Sequence, residues 1–130
     1  MTYFNPRTDP ALFRCGCERP ACDAPPPTQE LLDRLDLMRY QYGYPIVITS
    51  GPRCATWNLK KGGKANSDHR TGEGADLDCP GSRARFELYD AARRAGFRRL
   101  GIGRNFLHVG TAERLDQDVT WLYPDRATAT

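Results

Sequence analysis

Residues 67–78 read Ser67-Asp68-His69-Arg70-Thr71-Gly72-Glu73-Gly74-Ala75-Asp76-Leu77-Asp78. The second half, Gly74–Asp78, alternates as a strand does, with Asp76 and Asp78 on one face and Leu77 on the other. Glycines at 72 and 74 allow the chain to turn, so His69 and Asp76 can converge although seven residues separate them. The only other histidine is His108, in the apolar run Asn105-Phe106-Leu107-His108-Val109. Any imidazole chemistry therefore uses His69, His108 or both. An imidazole buried there without a partner costs roughly a few kcal/mol.

Outward from this stretch, the chain reads as short alternating elements. Thr28 opens a helix in which Leu31, Leu35 and Met38 recur at helical spacing, and Gly43 with Pro45 ends it. Ile46-Val47-Ile48-Thr49 is a β-branched run expected to form a buried strand. Ser50-Gly51-Pro52-Arg53 turns into Cys54–Leu59, a helical turn, and Lys60–Lys64 makes a basic loop. Ser82 is expected to cap a second helix with Ala84, Leu88, Ala91, Ala92 and Ala95 on its apolar face, stopped by Gly96. Arg99–Gly103, Phe106–Val109 and Val119–Tyr123 supply further strands. The expected fold is α+β, two helices packed on a small, mostly antiparallel sheet. Residues 1–27 form an irregular Cys- and Pro-rich arm on a single domain spanning 1–130, and 124–130 a frayed tail.

At 130 residues with 39% apolar and 27% charged side chains, the chain suits one soluble globular domain. No apolar run approaches a membrane span, and no secretory signal is visible at the start. The net charge of +3 is small and spread along the chain. The Lys60–Lys64 cluster lacks interleaved aromatics, so neither a nucleic-acid partner nor a membrane is expected. Five cysteines cannot all pair within one chain. Cys15-Gly16-Cys17 followed by Cys22 suggests a small metal knuckle, but four-thiolate sites usually show two close pairs, and Cys54 and Cys79 lie singly. Buried small apolar residues with one bridge are the expectation.

A metal ion held by His69, Asp76 and His108 would satisfy all three groups. Two imidazoles and one carboxylate, with a fourth position for water, is the ligand set of a catalytic zinc, which brings the pKa of that water to about 7. Spacing alone accommodates equally well an exposed His69 and a hydrogen-bonded core His108.

Ser67-x-His69-x-x-Gly72-x-Gly74-Ala75-Asp76, followed by Phe106-Leu107-His108-Val109, resembles the zinc D-alanyl-D-alanine carboxypeptidase and L-alanyl-D-glutamate endopeptidase family. The hedgehog signalling domain shares that family's fold. Three further stretches are similar to its short phage- and prophage-associated members. They are Tyr3-Phe4-Asn5-Pro6-Arg7, the Ile48–Cys54 turn and the Gly62-Gly63-x-x-Asn66-Ser67-x-His69 loop. The resemblance runs from about Tyr3 to Tyr123.

It implies one zinc ion on His69, Asp76 and His108, with Arg53 anchoring a substrate carboxylate or polarising the scissile carbonyl. A guanidinium offers a planar fork of donors and stays charged. Ser67 is implied as a hydrogen-bonding residue at the cleft edge, a loop cap being equally compatible. Asp78 is either a partner to a ligand histidine or a solvated carboxylate. Many relatives place an acidic general base two or three residues before the second histidine; here Asn105 and Phe106 stand there, so Asn105 is expected to orient the water instead. Many also carry an aspartate two residues after it, where this chain has Gly110. Glu73, Asp78, Asp116 and Asp118 are the remaining candidates for the base.

The function implied is hydrolysis of an amide bond in the peptidoglycan stem peptide or cross-link by zinc-activated water. The alternative is a metal-stabilised cell-wall-binding or virion module with little or no turnover. An iron oxygenase ranks third, because its carboxylate normally follows the first histidine by two residues, where Thr71 stands. The expected setting is synthesis in the cytoplasm without a signal peptide. Action on the cell wall would follow release, through a lysis machinery or as part of a phage tail.

Overall fold

Thr28 starts helix α1 (Gln29–Tyr42) because its hydroxyl accepts the Leu31 N–H at 3.2 Å. Gly43 ends it in the left-handed conformation, φ +82°, its N–H donating to the Arg39 carbonyl. Leu31, Leu35 and Met38 point inward and are fully buried. These features belong to a computed structural model that describes residues 2–20 and 22–124.

Two further helices follow, α2 (Ala55–Lys60) and α3 (Ser82–Arg94). Helix α2 has the length of the turn expected at Cys54–Leu59 but lies one residue later, because Cys54 serves as its N-cap. In α3, Ser82 is the first helical residue, and extended Gly81 occupies the cap position without a side-chain bond. Gly96, φ +90°, follows Ala95 and closes that helix as expected.

Five strands, β1 (Ile48–Ser50), β2 (Gly74–Asp78), β3 (Arg99–Ile102), β4 (Phe106–Gly110) and β5 (Val119–Leu122), form one sheet. Its order is β1-β2-β4-β3-β5; all neighbours are antiparallel except the parallel pair β3–β5. The architecture is α+β, mostly antiparallel, with one helix more than the two expected. β1 begins two residues later than the apolar run suggested. Val47 accepts the Asp78 N–H, but the register against β2 shifts between Ile48 and Ser50, so no regular ladder extends back to Ile46.

Strand alternation divides the sheet into two faces. Leu77, Leu107, Ala75, Val109 and Leu100 enter the core shared with α1 and α3. The opposite face carries a cross-strand row, Ser50–Asp76–His108–Gly101–Trp121, in which each residue stands opposite the next. The arm is tied to this scaffold. Phe4 and Phe13 lie in the core, and the Tyr3 and Phe4 N–H groups donate to Asp36 Oδ1 at 2.7 and 2.9 Å. Among its described residues the one regular feature is a 3-10 turn at Pro10–Phe13.

No disulfide joins the cysteines: all five are free thiols, contrary to the expected bridge. The tail expected at 124–130 lies outside the described residues apart from Pro124. Among the described residues, no helix is long and apolar enough to cross a membrane.

Candidate metal centre

The Ser67 hydroxyl accepts the His69 N–H at 3.2 Å and so caps a 3-10 turn, Asp68–Thr71. Gly72 ends the turn at φ +73°; a Cβ there would sit 2.1 Å from the Pro26 carbonyl oxygen, so arm and turn can meet only at a glycine. The turn sets the His69 ring over β2. Its Nδ1 donates to the Gly51 carbonyl at 2.7 Å, since a carbonyl can only accept. That bond leaves a lone pair on Nε2, 3.2 Å from Asp76 Oδ1.

His108 reaches the same point from β4. Its Nδ1 lies 2.9 Å from Asp76 Oδ1 and 3.2 Å from His69 Nε2. Its Nε2 is 3.2 Å from Asp68 Oδ2 and donates to it. His69, Asp76 and His108 are thus buried together, with one ligand atom of each facing the other two.

The triangle fits a cation. A tetrahedral ion with nitrogen and oxygen ligands at about 2.0–2.1 Å has ligand–ligand edges of about 3.3 Å. The observed edges are 2.9 to 3.2 Å. With both outer nitrogens donating away from the centre, three lone pairs point at one another, and a positive charge between them removes the repulsion. In the metal-free protein a proton serves that purpose. Burial works against charging His108, but bonds to Asp68 and Asp76 outweigh it and push its pKa up to about 9. Burial pushes His69 down despite the attraction of Asp76. Burial would raise Asp76, yet the two imidazoles hold its carboxyl well below the usual carboxylate range.

A second layer fixes these ligands. Arg53 is buried; its Nη2 donates to Asp76 Oδ2 at 3.0 Å and its Nε to the Ser50 hydroxyl at 3.0 Å. Its Nη1 donates to Asn58 Oδ1 at 3.4 Å. Asp68, adjacent to a ligand in sequence, escaped the sequence reading. Its carboxylate accepts from His108 Nε2, from Arg99 Nε at 3.2 Å and from the Ala112 N–H at 3.1 Å. Burial alone would raise its pKa, but these partners, His108 foremost, keep it below the usual range. Carboxylate–imidazole pairs of this kind orient metal-binding histidines. A Cβ on Gly110 would lie 2.5 Å from the Asp68 carboxylate, so Asp68 fills the space that a side chain at 110 would need.

Aromatic rings close the far side. Trp121 packs 5.6 Å and Tyr123 6.5 Å from the His108 ring, centroid to centroid. They approach because Gly101 lies between; a Cβ there would meet Trp121 at 2.7 Å and Tyr123 at 2.5 Å. Burial, with the Asp76 charge nearby, pushes the Tyr123 phenol up to about 12, so it keeps its proton at neutral pH.

The expected site residues divide accordingly. His69, Asp76, His108 and Arg53 meet; Ser67 acts as the turn's cap. Asn105 is exposed in the turn before β4, where its carbonyl accepts the Cys79 N–H. It lies three residues, about 10 Å, along the chain from His108, and its side chain makes no hydrogen bond to the triangle. Of the other carboxylates, Glu73 accepts from Thr71 and pairs with Arg114, and Asp118 pairs with Arg98. Asp78 is exposed and Asp116 offers only its backbone carbonyl to Arg99, so none of the four joins the triangle.

The family model described as Peptidase M15 matches residues 7–110, which include all three triangle residues and Arg53. The chain belongs to the peptidase M15 family. Its members are zinc peptidases, and in this M15 chain His69, Asp76 and His108 could hold the ion. No curated protein matches the chain.

Proposed function

We propose that this M15 chain hydrolyses an amide bond of the peptidoglycan stem peptide or its cross-link, using one zinc ion on His69, Asp76 and His108. The observation that carries the reading is the triangle itself: two imidazole nitrogens and a carboxylate oxygen within 3.2 Å of one another, in a peptidase family. When bound, zinc supplies Lewis acidity, polarising a carbonyl and acidifying water. The chain's own groups do the rest. Gly51 and Asp68 each accept from the outer nitrogen of one histidine, so the nitrogens facing the centre are the ones that would offer lone pairs to zinc. Arg53 steadies Asp76 and has N–H donors beyond the three it spends, available to a substrate carboxylate or a developing oxyanion. Tyr123 holds its proton on the phenol oxygen at the edge of the site, a donor for the same charge. Action on the wall after release by a lysis machinery, or within a phage tail, is the setting that matches this substrate.

Purified murein should yield stem-peptide fragments by mass spectrometry with the protein present, and none with a chelator or with His69→Ala. Full digestion by metal-free His69→Ala protein would overturn the proposal. A second reading, a cell-wall-binding or virion module without turnover, is favoured by one observation: Asn105 and the four remaining carboxylates all stand away from the triangle. Tight stem-peptide binding with no cleavage over long incubation would decide for it.

A further inference from the structure

A second set of metal-type ligands gathers away from the histidines. Cys15, Cys17 and Cys22 come from the arm and Cys54 from the cap of α2, and their four sulfurs lie within 4.8 Å of one another. All four are unbridged. Cys15 and Cys54 sulfurs are 3.8 Å apart. A tetrahedral zinc with thiolates at about 2.3 Å has sulfur–sulfur edges of about 3.8 Å.

Backbone amides single out every one of these sulfurs. The Cys54 N–H donates to Cys15, the Arg19 N–H to Cys17, the Ala24 N–H to Cys22 and the Trp57 N–H to Cys54, each at 3.4 Å. Such donors stabilise thiolates, and four thiolates around a divalent cation leave a net double negative charge. Arg19 offsets part of it, its Nη2 donating to Cys54 Sγ at 3.3 Å. Gly16 makes the approach possible, because a Cβ there would lie 2.6 Å from the Trp57 indole.

We propose that Cys15, Cys17, Cys22 and Cys54 bind a zinc ion in a four-thiolate site distinct from the His69–Asp76–His108 triangle. With all four positions taken by protein sulfur, the site is structural. It clamps the arm to Cys54, the neighbour of Arg53, and so holds the backbone from which Arg53 reaches Asp76. The site does not depend on the peptidase reading.

The test is metal content and cobalt spectroscopy on the full chain. Unsubstituted protein should carry about two zinc ions, and the His69→Ala and Cys17→Ser/Cys22→Ser variants about one each. Cobalt-loaded unsubstituted protein, which requires no variant, should show strong thiolate-to-cobalt charge-transfer absorption; His69→Ala should keep that band and the double cysteine variant should lose it. A cobalt-loaded unsubstituted protein without the band overturns the proposal. So does finding fewer than four alkylatable thiols at Cys15, Cys17, Cys22 and Cys54 after denaturation in chelator, since that means bridges. A band present without any murein hydrolysis would leave this site standing while the peptidase reading fell.

Discussion

At Asp68 three donors converge on one buried carboxylate, and only one of them, His108, belongs to the triangle. The other two, Arg99 and the Ala112 N–H, hold the carboxylate where it can keep the His108 proton on Nε2. Replacing Asp68 by Asn preserves the shape but weakens the pull on that proton. Asp68→Asn should therefore lower zinc affinity at the histidine site about 10- to 100-fold, measured by chelator competition. An unchanged affinity would mean that packing against Trp121 alone orients the ring. Arg53 poses a different question, because it both pairs with Asp76 and retains spare donors. Arg53→Lys keeps the charge and loses the planar fork. If Arg53 acts on substrate, kcat/KM falls at least about 10-fold while zinc affinity holds. If affinity falls equally, the arginine works only through Asp76.

At the scale of elements, the site depends on which strand residues face each other. Asp76, His108, Gly101 and Trp121 share one row, and β4 leaves room at Gly110 for the Asp68 carboxylate between the 3-10 turn and the sheet. Gly110→Ala places a methyl group 2.5 Å from a carboxylate that three hydrogen bonds pin in place. Such overpacking should cost about 1–3 kcal/mol in urea unfolding and weaken zinc binding with it. A variant with an unchanged midpoint would show that the turn can move. Much of this was legible beforehand. Alternation in Gly74–Asp78 put Asp76 on the polar face, the helical spacing of Leu31, Leu35 and Met38 marked α1, and the scarcity of histidine singled out His108. Asp68 was not legible, because its partner is forty positions away and no local period relates them. Asn105 stands exposed in the turn before β4 without a hydrogen bond to the triangle, so its nearness to His108 in sequence does not by itself give it a place in the site. Cys54 looked solitary because the three cysteines it meets lie in an arm without regular structure, whose path no periodicity predicts.

For the molecule as a whole, the buried charges set opposite pH limits on the metal-free fold. Asp68 and Asp76 titrate below the usual carboxylate range when folded, and His69 below its own usual value. Each is better off without its proton in the folded state. Their contributions are therefore present above the unfolded values, near 6.5 for the imidazole and 3.8 for the carboxyls, and are lost as pH falls. His108 has the other sign. Its folded pKa of about 9 exceeds the unfolded 6.5, so its contribution is complete below 6.5 and gone once pH has risen through about 9. Metal-free protein should accordingly be most stable near pH 6.5 and lose stability on both sides, as read from urea midpoints. Zinc must displace the His108 proton, so its apparent affinity for the triangle should climb about tenfold per pH unit up to about 9 and then level. Calorimetry in buffers of different ionisation enthalpy, on the Cys17→Ser/Cys22→Ser variant so that only the triangle is filled, should record about one proton released per zinc near pH 7.5. No proton released there would mean that His108 is already neutral in the metal-free protein and that the lone pairs of the triangle tolerate one another without a cation between them.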